Sequence, residues 1–192
     1  MSAKLLFFAG SARKASANKK LAAAAAAMAE DIGAQTTYID LADYPMPIFC
    51  EDYEAENGLP ETAKTLKKLF AGHDGFLIAS PEYNSSFSPL LKNTLDWMTR
   101  PESKDEPILT AFKGKTAALT AASPGALGGL RGLIPLRMWL SNIQIHVIPQ
   151  QFALGGAMSA FDENGTLTDE KQKEMLSGVL QQFIDTTQAL KT

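Results

Sequence analysis

Along this chain, apolar residues fall into short unbroken runs separated by longer stretches with a helical period. Residues 5–9 (LLFFA) have no polar break, the pattern of a strand covered on both faces. Residues 36–40 combine β-branched and aromatic side chains and read as a second strand. Residues 75–80 (GFLIAS) and 115–122 read as the third and fourth, and 144–148 as the fifth. Helical patterns lie between them. The first spans 16–32, with Ser16 as N-cap, an alanine-rich interior and Gly33 as its stop. The second spans 59–71, opened by Pro60 and closed by Gly72. The third starts at Ser88-Pro89 and carries Leu91, Leu95 and Met98 as one stripe. The fourth covers 133–140, with Pro135 expected in its first turn, and the last covers 168–190. Two connections, 41–57 and 101–111, read as irregular; Pro45, Pro47 and four acids from Glu51 onward mark the first.

Strict alternation of strand and helix predicts an α/β protein with a parallel sheet and helices on both faces. Residues 1–192 show no internal repeat and no low-complexity linker, so a single domain is expected. Five strands fit the order 2-1-3-4-5 of the flavodoxin-like three-layer sandwich. In that order the switch point lies between strands 1 and 3. Ligands bind there, beyond the carboxyl ends of the strands.

Composition narrows the partners. A net charge of −3 argues against a nucleic-acid or membrane surface. The alanine run 22–27 is bracketed by Lys20 and Glu30 and is too short to span a bilayer. Cys50 is the only cysteine, so no internal disulfide or zinc spacing exists. With no signal peptide evident, a cytoplasmic location is expected.

The chemistry concentrates in three loops that the predicted topology places on one rim. The first, 10–18 (GSARKASAN), leads into a helix start crowded by Arg13, Lys14, Lys19 and Lys20. The positive end of a helix dipole disfavours cations, and a bound phosphate would resolve the conflict. Ser11, Ser16 and Asn18 can donate to phosphate oxygens, and Arg13 can bind them bidentately. A serine cap with solvated cations is the plainer alternative. Neither GxxxxGK[ST] nor GxGxxG occurs. The second loop, 80–89 (SPEYNSSFSP), offers an aromatic face in Tyr83 and polar groups around Asn84. Such a mixture suits a flat heteroaromatic ring, although a surface turn reads similarly. The third, 123–132 (SPGALGGLRG), has five glycines or prolines in ten residues and admits close backbone approach to a ligand.

Taken together, Gly10-Ser-x-Arg-x-x-Ser-x-Asn18, Pro81-Glu-Tyr-Asn84 with Leu91-Lys-Asn-x-x-Asp-Trp97, and Ser123-x-Gly-x-x-Gly-Gly129 resemble the NAD(P)H-dependent FMN reductase family. That family includes chromate and quinone reductases and some azoreductases. The resemblance runs from strand 1 to about Arg131. It implies that Ser11, Arg13, Ser16 and Asn18 hold the FMN phosphate. Pro81, Glu82, Tyr83 and Asn84 would line the isoalloxazine and ribityl, with Ser123 and Gly125 approaching from the neighbouring loop. It implies a homodimer or homotetramer, with the helix after Pro89 near the interface and 40–54 as a variable loop beside it. The implied enzyme takes electrons from NADPH or NADH through FMN by ping-pong. It passes them to a small acceptor: a quinone, azo or nitro compound, metal oxyanion or free flavin. A flavodoxin-like electron carrier is the alternative.

The remaining chemistry-bearing residues read as structural. Lys92 and Asp96 are spaced to pair on a helix surface. Trp97 is expected to pack, Asp40 to cap, His73 and His146 to be structural or solvated, and Cys50 to be redox-inert. Arg131 and Arg137 stay open between an interface ion pair and the phosphates of a nicotinamide dinucleotide.

Overall fold

The computed structural model describes residues 2–191. Five strands, β1 (Lys4–Ala9), β2 (Gln35–Asp40), β3 (Gly75–Ala79), β4 (Thr116–Ala122) and β5 (His146–Leu154), form one parallel sheet in the order β2-β1-β3-β4-β5. This is the expected flavodoxin-like arrangement. The described residues also form six helices, α1 (Ala17–Asp31), α2 (Glu51–Asn57), α3 (Glu61–Ala71), α4 (Pro89–Thr99), α5 (Leu130–Asn142) and α6 (Glu170–Leu190), of which all but α2 pack on the sheet.

Side chains of a strand alternate between faces, and both faces of β1 are apolar. Leu5 and Phe7 join a core with Leu21, Ala25, Phe152, Leu180 and Phe183, under α1 and α6. Leu6 and Phe8 join the opposite core with Phe70, Phe76, Leu95, Phe112 and Leu136, under α3, α4 and α5. The alanines of α1 have a packing role. Ala22, Ala25, Ala26 and Ala29 are its buried face, and their small size lets the helix lie close to the sheet.

Three sequence expectations need correction. β5 continues to Leu154, six residues past its expected end. Pro149 sits within it, next to a register shift against Ala117 and Leu119. β5 is an edge strand, and an edge tolerates a residue without an N–H. α5 starts at Leu130, so Pro135 falls in its second turn and leaves the Arg131 carbonyl without its helical donor. The 41–57 connection contains a 3-10 turn (Leu41–Asp43) and the helix α2. None of the α2 residues is buried, so no apolar period marked it. Its stability comes partly from Glu51, Asp52 and Glu54 in the first turn, where the dipole favours acids.

The 101–111 connection is pinned by an ion pair. Lys67 Nζ on α3 reaches Glu106 at 2.6 Å and the Arg100 carbonyl at 2.6 Å. Burial pushes the Glu106 carboxyl up, but hydrogen bonds from Lys67 and the Glu102 N–H hold it below the usual range. A depressed carboxylate stabilises the fold above its unfolded pKa of about 4. That contribution disappears as pH falls through the folded value. Glu106→Gln should therefore flatten the acid limb of a Tm-against-pH curve below about pH 4, measured by thermal melts.

Candidate functional site

Loop 10–16 leaves β1 at the carboxyl edge of the sheet. The Gly10 N–H donates to the Ala79 carbonyl at 3.0 Å. Ser88 caps α4 by accepting from the Leu91 N–H at 3.2 Å, and its hydroxyl donates to the Gly10 carbonyl at 2.5 Å. One side chain thus starts α4 and fixes the first loop. Gly10 fits because a Cβ there would stand 3.0 Å from Leu91 Cβ.

The four expected phosphate-loop residues come together, but not in equal roles. Ser11 is buried at the cavity wall, and the Ser16 hydroxyl caps α1. Arg13 is exposed, with only its Nη2 donating, to the Ala15 carbonyl at 2.8 Å. The rest of its fork faces the cavity mouth unpaired among the described residues. Asn18 departs from its expected role. Its amide makes a reciprocal pair with the end of β4, Nδ2 to the Ala122 carbonyl and Oδ1 from the Ala122 N–H, each 2.9 Å. What α1 offers an anion here is the N–H groups of Ala17 and Asn18, which lack intrahelical acceptors. Lys19 is likewise spent, its ammonium 2.5 Å from Asp40. Asp40 also caps the 3-10 turn through the Ala42 N–H, as expected of a strand-end acid. Of the four cations at the helix start, Arg13 is the one that lines the cavity between the loops.

The second loop is a tight two-residue turn. Tyr83 and Ser86 exchange backbone hydrogen bonds of 2.8 and 3.0 Å, and Asn84 and Ser85 take φ of 51° and 65°. Left-handed backbone at two non-glycine residues costs roughly 1–3 kcal/mol each. A two-residue hairpin turn needs φ > 0 at both of its central residues, which is what this one shows. Tyr83 is 53% exposed, so its ring is free to face a ligand. Glu82 turns back into the protein. Its carboxylate accepts from Arg131 at 2.9 Å and from the Gly132 N–H at 3.4 Å, clamping the second loop to the start of α5. Arg131 thus pairs within the chain, and Arg137 donates to the β5 carbonyls of Val147, Ile148 and Pro149.

The third loop lies against β5. Ser123 donates its N–H to the Leu154 carbonyl and accepts from the Ala157 N–H. Gly128 has φ +62° and presses on the backbone of Ala153 and Leu154.

Between the loops lie two adjoining cavities. The first, about 260 Å³, is lined by Ser11, Arg13, Ser16, Asn18, Pro81, Glu82, Tyr83 and Ser123. The second, about 640 Å³, adds Asn84 and Gly125 and shares Glu82 and Ser123 with the first. All ten residues expected from the sequence line one of the two. Met158 also lines the first cavity, 78% exposed, on the turn after β5. Sequence reasoning ended that strand too early to place Met158 on the rim. Other expectations hold: Trp97 is buried with its indole N–H on the Pro47 carbonyl, Lys92 pairs with Asp96, and His73 is held by the Leu69 carbonyl and Thr37.

The sequence model of the NADPH-dependent FMN reductase family matches residues 3–159. The chain belongs to that family. It is 35% identical over 182 residues to an NAD(P)H-dependent FMN reductase of Pseudomonas aeruginosa, covering 93% of this chain and 91% of that one. It is 35% identical over 176 residues to an NAD(P)H:quinone oxidoreductase of Solanum tuberosum, covering 89% and 86%. Among solved structures, the flavoenzyme NAD(P)H:(acceptor) oxidoreductase FerB of Paracoccus denitrificans superposes with a TM-score of 0.82 at 28% identity, over 97% and 98% of the two chains. No helix among the described residues is long and apolar enough to cross a membrane.

Proposed function

We propose that this oxidoreductase holds FMN across the two cavities and passes electrons from NADPH or NADH to a small acceptor, with quinones the first class to try. One observation carries the reading: three loops far apart in sequence converge on a cleft with an anion-binding end and a flat, mostly uncharged end. Flavin nucleotides have that same division. Ser11, Arg13 and the first-turn N–H groups of α1 bind the phosphate. Pro81, Tyr83, Asn84, Ser123 and Gly125 wall the ring. When bound, FMN supplies two-electron exchange with the dinucleotide and then with the acceptor. The protein's own share is positioning. The Ser88–Gly10, Asn18–Ala122 and Glu82–Gly132 contacts hold the three loops at fixed separation, and the exposed mouth admits donor and acceptor in turn. That order predicts ping-pong kinetics.

The chain is also proposed to be a cytoplasmic homodimer or homotetramer. Leu130, Ile134 and Met138 are exposed at a spacing of four on α5, with half-buried Trp139 beside them, an apolar stripe that a second copy would cover.

Purified protein should carry a yellow flavin spectrum or acquire one with added FMN, and should oxidise NADPH or NADH with a quinone and no partner protein. Failure to bind FMN sinks the proposal; flavin binding without such activity favours the electron carrier. Arg13→Ala should weaken FMN binding about 10- to 100-fold, since charge-assisted hydrogen bonds contribute about 1.5–3 kcal/mol. Its Tm without flavin should match wild type, because the side chain is exposed and holds only the Ala15 carbonyl.

A further inference from the structure

The second cavity has one cation. Arg131 and Glu82 are the charged residues of its lining; the rest are Asn84, Ser85, Ser123 and residues 125–128. The two form an ion pair, with Nη2 2.9 Å and Nε 3.0 Å from Oε1. The pair is lopsided. The Glu82 side chain is 11% exposed and that of Arg131 61%. Glu82 is additionally held by the Gly132 N–H, in the first turn of α5, where the helix dipole favours a carboxylate. Gly132 lies close against Glu82, since a Cβ added there would stand 3.3 Å from the Glu82 Cα and Cβ. The carboxylate is thus fixed from several sides. Among the described residues the guanidinium is held only by the carboxylate, and an ion pair this open to water is easily exchanged.

We propose that Arg131 is the anion-recognising residue of the second cavity, turning from Glu82 onto a phosphate of the nicotinamide dinucleotide. Glu82 holds it back when the cavity is empty of co-substrate. This rests on the oxidoreductase reading above. The FMN phosphate is already served by Ser11, Arg13 and α1 at the far end of the cleft, so the cation in the second cavity is not needed there. A quinone is neutral, and its carbonyls accept single hydrogen bonds but give a guanidinium no charge to pair with. A nicotinamide dinucleotide carries a diphosphate, and in its phosphorylated form a 2′-phosphate, and a guanidinium fork binds either bidentately. Glu82 competes for the same fork. Removing the arginine and removing the charge of its partner therefore act in opposite directions.

The test is equilibrium binding of NADP+ and of NAD+ to the FMN-loaded protein, for wild type, Arg131→Ala, Arg131→Lys and Glu82→Gln. Arg131→Ala should weaken dinucleotide binding about tenfold or more, with FMN affinity retained, and Arg131→Lys should fall between. Glu82→Gln should tighten it, because the amide still accepts from Gly132 but no longer holds the guanidinium. Equal loss for both dinucleotides places the contact on the diphosphate; loss confined to NADP+ places it on the 2′-phosphate. Either result supports the inference. If Arg131→Ala and Glu82→Gln both weaken binding, the pair is a brace between loops and the inference is overturned. Unchanged binding of both dinucleotides in Arg131→Ala also overturns it. A wild-type protein that takes up no FMN fails at the loading step, which marks the failure of the oxidoreductase reading itself.

Discussion

Asn18→Ala should lower stability by about 2–4 kcal/mol, a fall in Tm of roughly 5–15 °C for a chain of this size, and should weaken FMN retention with it. The loss follows from what the amide satisfies. Ala122 is 5% exposed at the last position of β4, and both its N–H and its carbonyl are paired with Asn18. Removing the amide leaves a donor and an acceptor buried without partners, each costing about 1–3 kcal/mol. It also unties the start of α1 from the strand that leads into the third loop, so the anion end and the ring end of the cleft lose their fixed separation. Asn18→Asp sharpens the test. A carboxylate has the same shape and can accept from the Ala122 N–H, but it faces the Ala122 carbonyl with an oxygen instead of a donor. Its loss should equal or exceed that of Asn18→Ala. Arg13→Ala supplies the contrast, with flavin binding lost and apo stability kept. Thermal melts without flavin, followed by FMN titration, separate the two behaviours. If Asn18→Ala melts like wild type yet loses FMN, the amide is a ligand donor and not a tether.

Asn18 also shows where the sequence is legible and where it stops. The buried strands β1, β3 and β4 announce themselves because each must be apolar on both faces. The caps Ser16 and Ser88 announce α1 and α4 because a helix start must satisfy free N–H groups. Alternation points to a parallel sheet, five strands fit the observed order, and that order brings three loops to one rim. That route and the family resemblance point to ten residues, all of which line the two cavities. A sequence shows what a polar side chain can bond, but not what it does bond. Asn18 and Ala122 are 104 residues apart, and Glu82 and Arg131 are 49 apart. From the sequence the amide of Asn18, the ammonium of Lys19 and the carboxylate of Glu82 all read as groups for a ligand, and all three have partners inside the protein. β5 past Pro149 and the short α2 escaped for a different reason: an edge strand and a surface helix bury too little to leave a pattern.

Gly128→Ala should be at least as damaging, by roughly 2–5 kcal/mol, and should disable the second cavity. Two independent penalties add. The backbone there has φ +62°, which an L side chain adopts only under strain. The new Cβ would also lie 2.6 Å from the carbonyl carbon of Ala153 and 2.7 Å from the backbone of Leu154. Those atoms belong to β5, which is hydrogen-bonded into the sheet and cannot move aside as a flexible side chain can. The third loop must therefore lift off β5, carrying Arg131 and the wall of the cavity with it. Gly125 in the same loop gives the comparison. Its φ is not positive, and the nearest atom to an added Cβ is Ser123 Oγ at 3.9 Å, so Gly125→Ala should melt within a few degrees of wild type. Melts of both variants, with quinone reduction measured on Gly128→Ala, decide the matter. Close packing predicts a large gap between the two melting points. Equal losses would mean that the glycines of this loop serve its mobility, and the account of a rigid wall held against β5 would have to be given up.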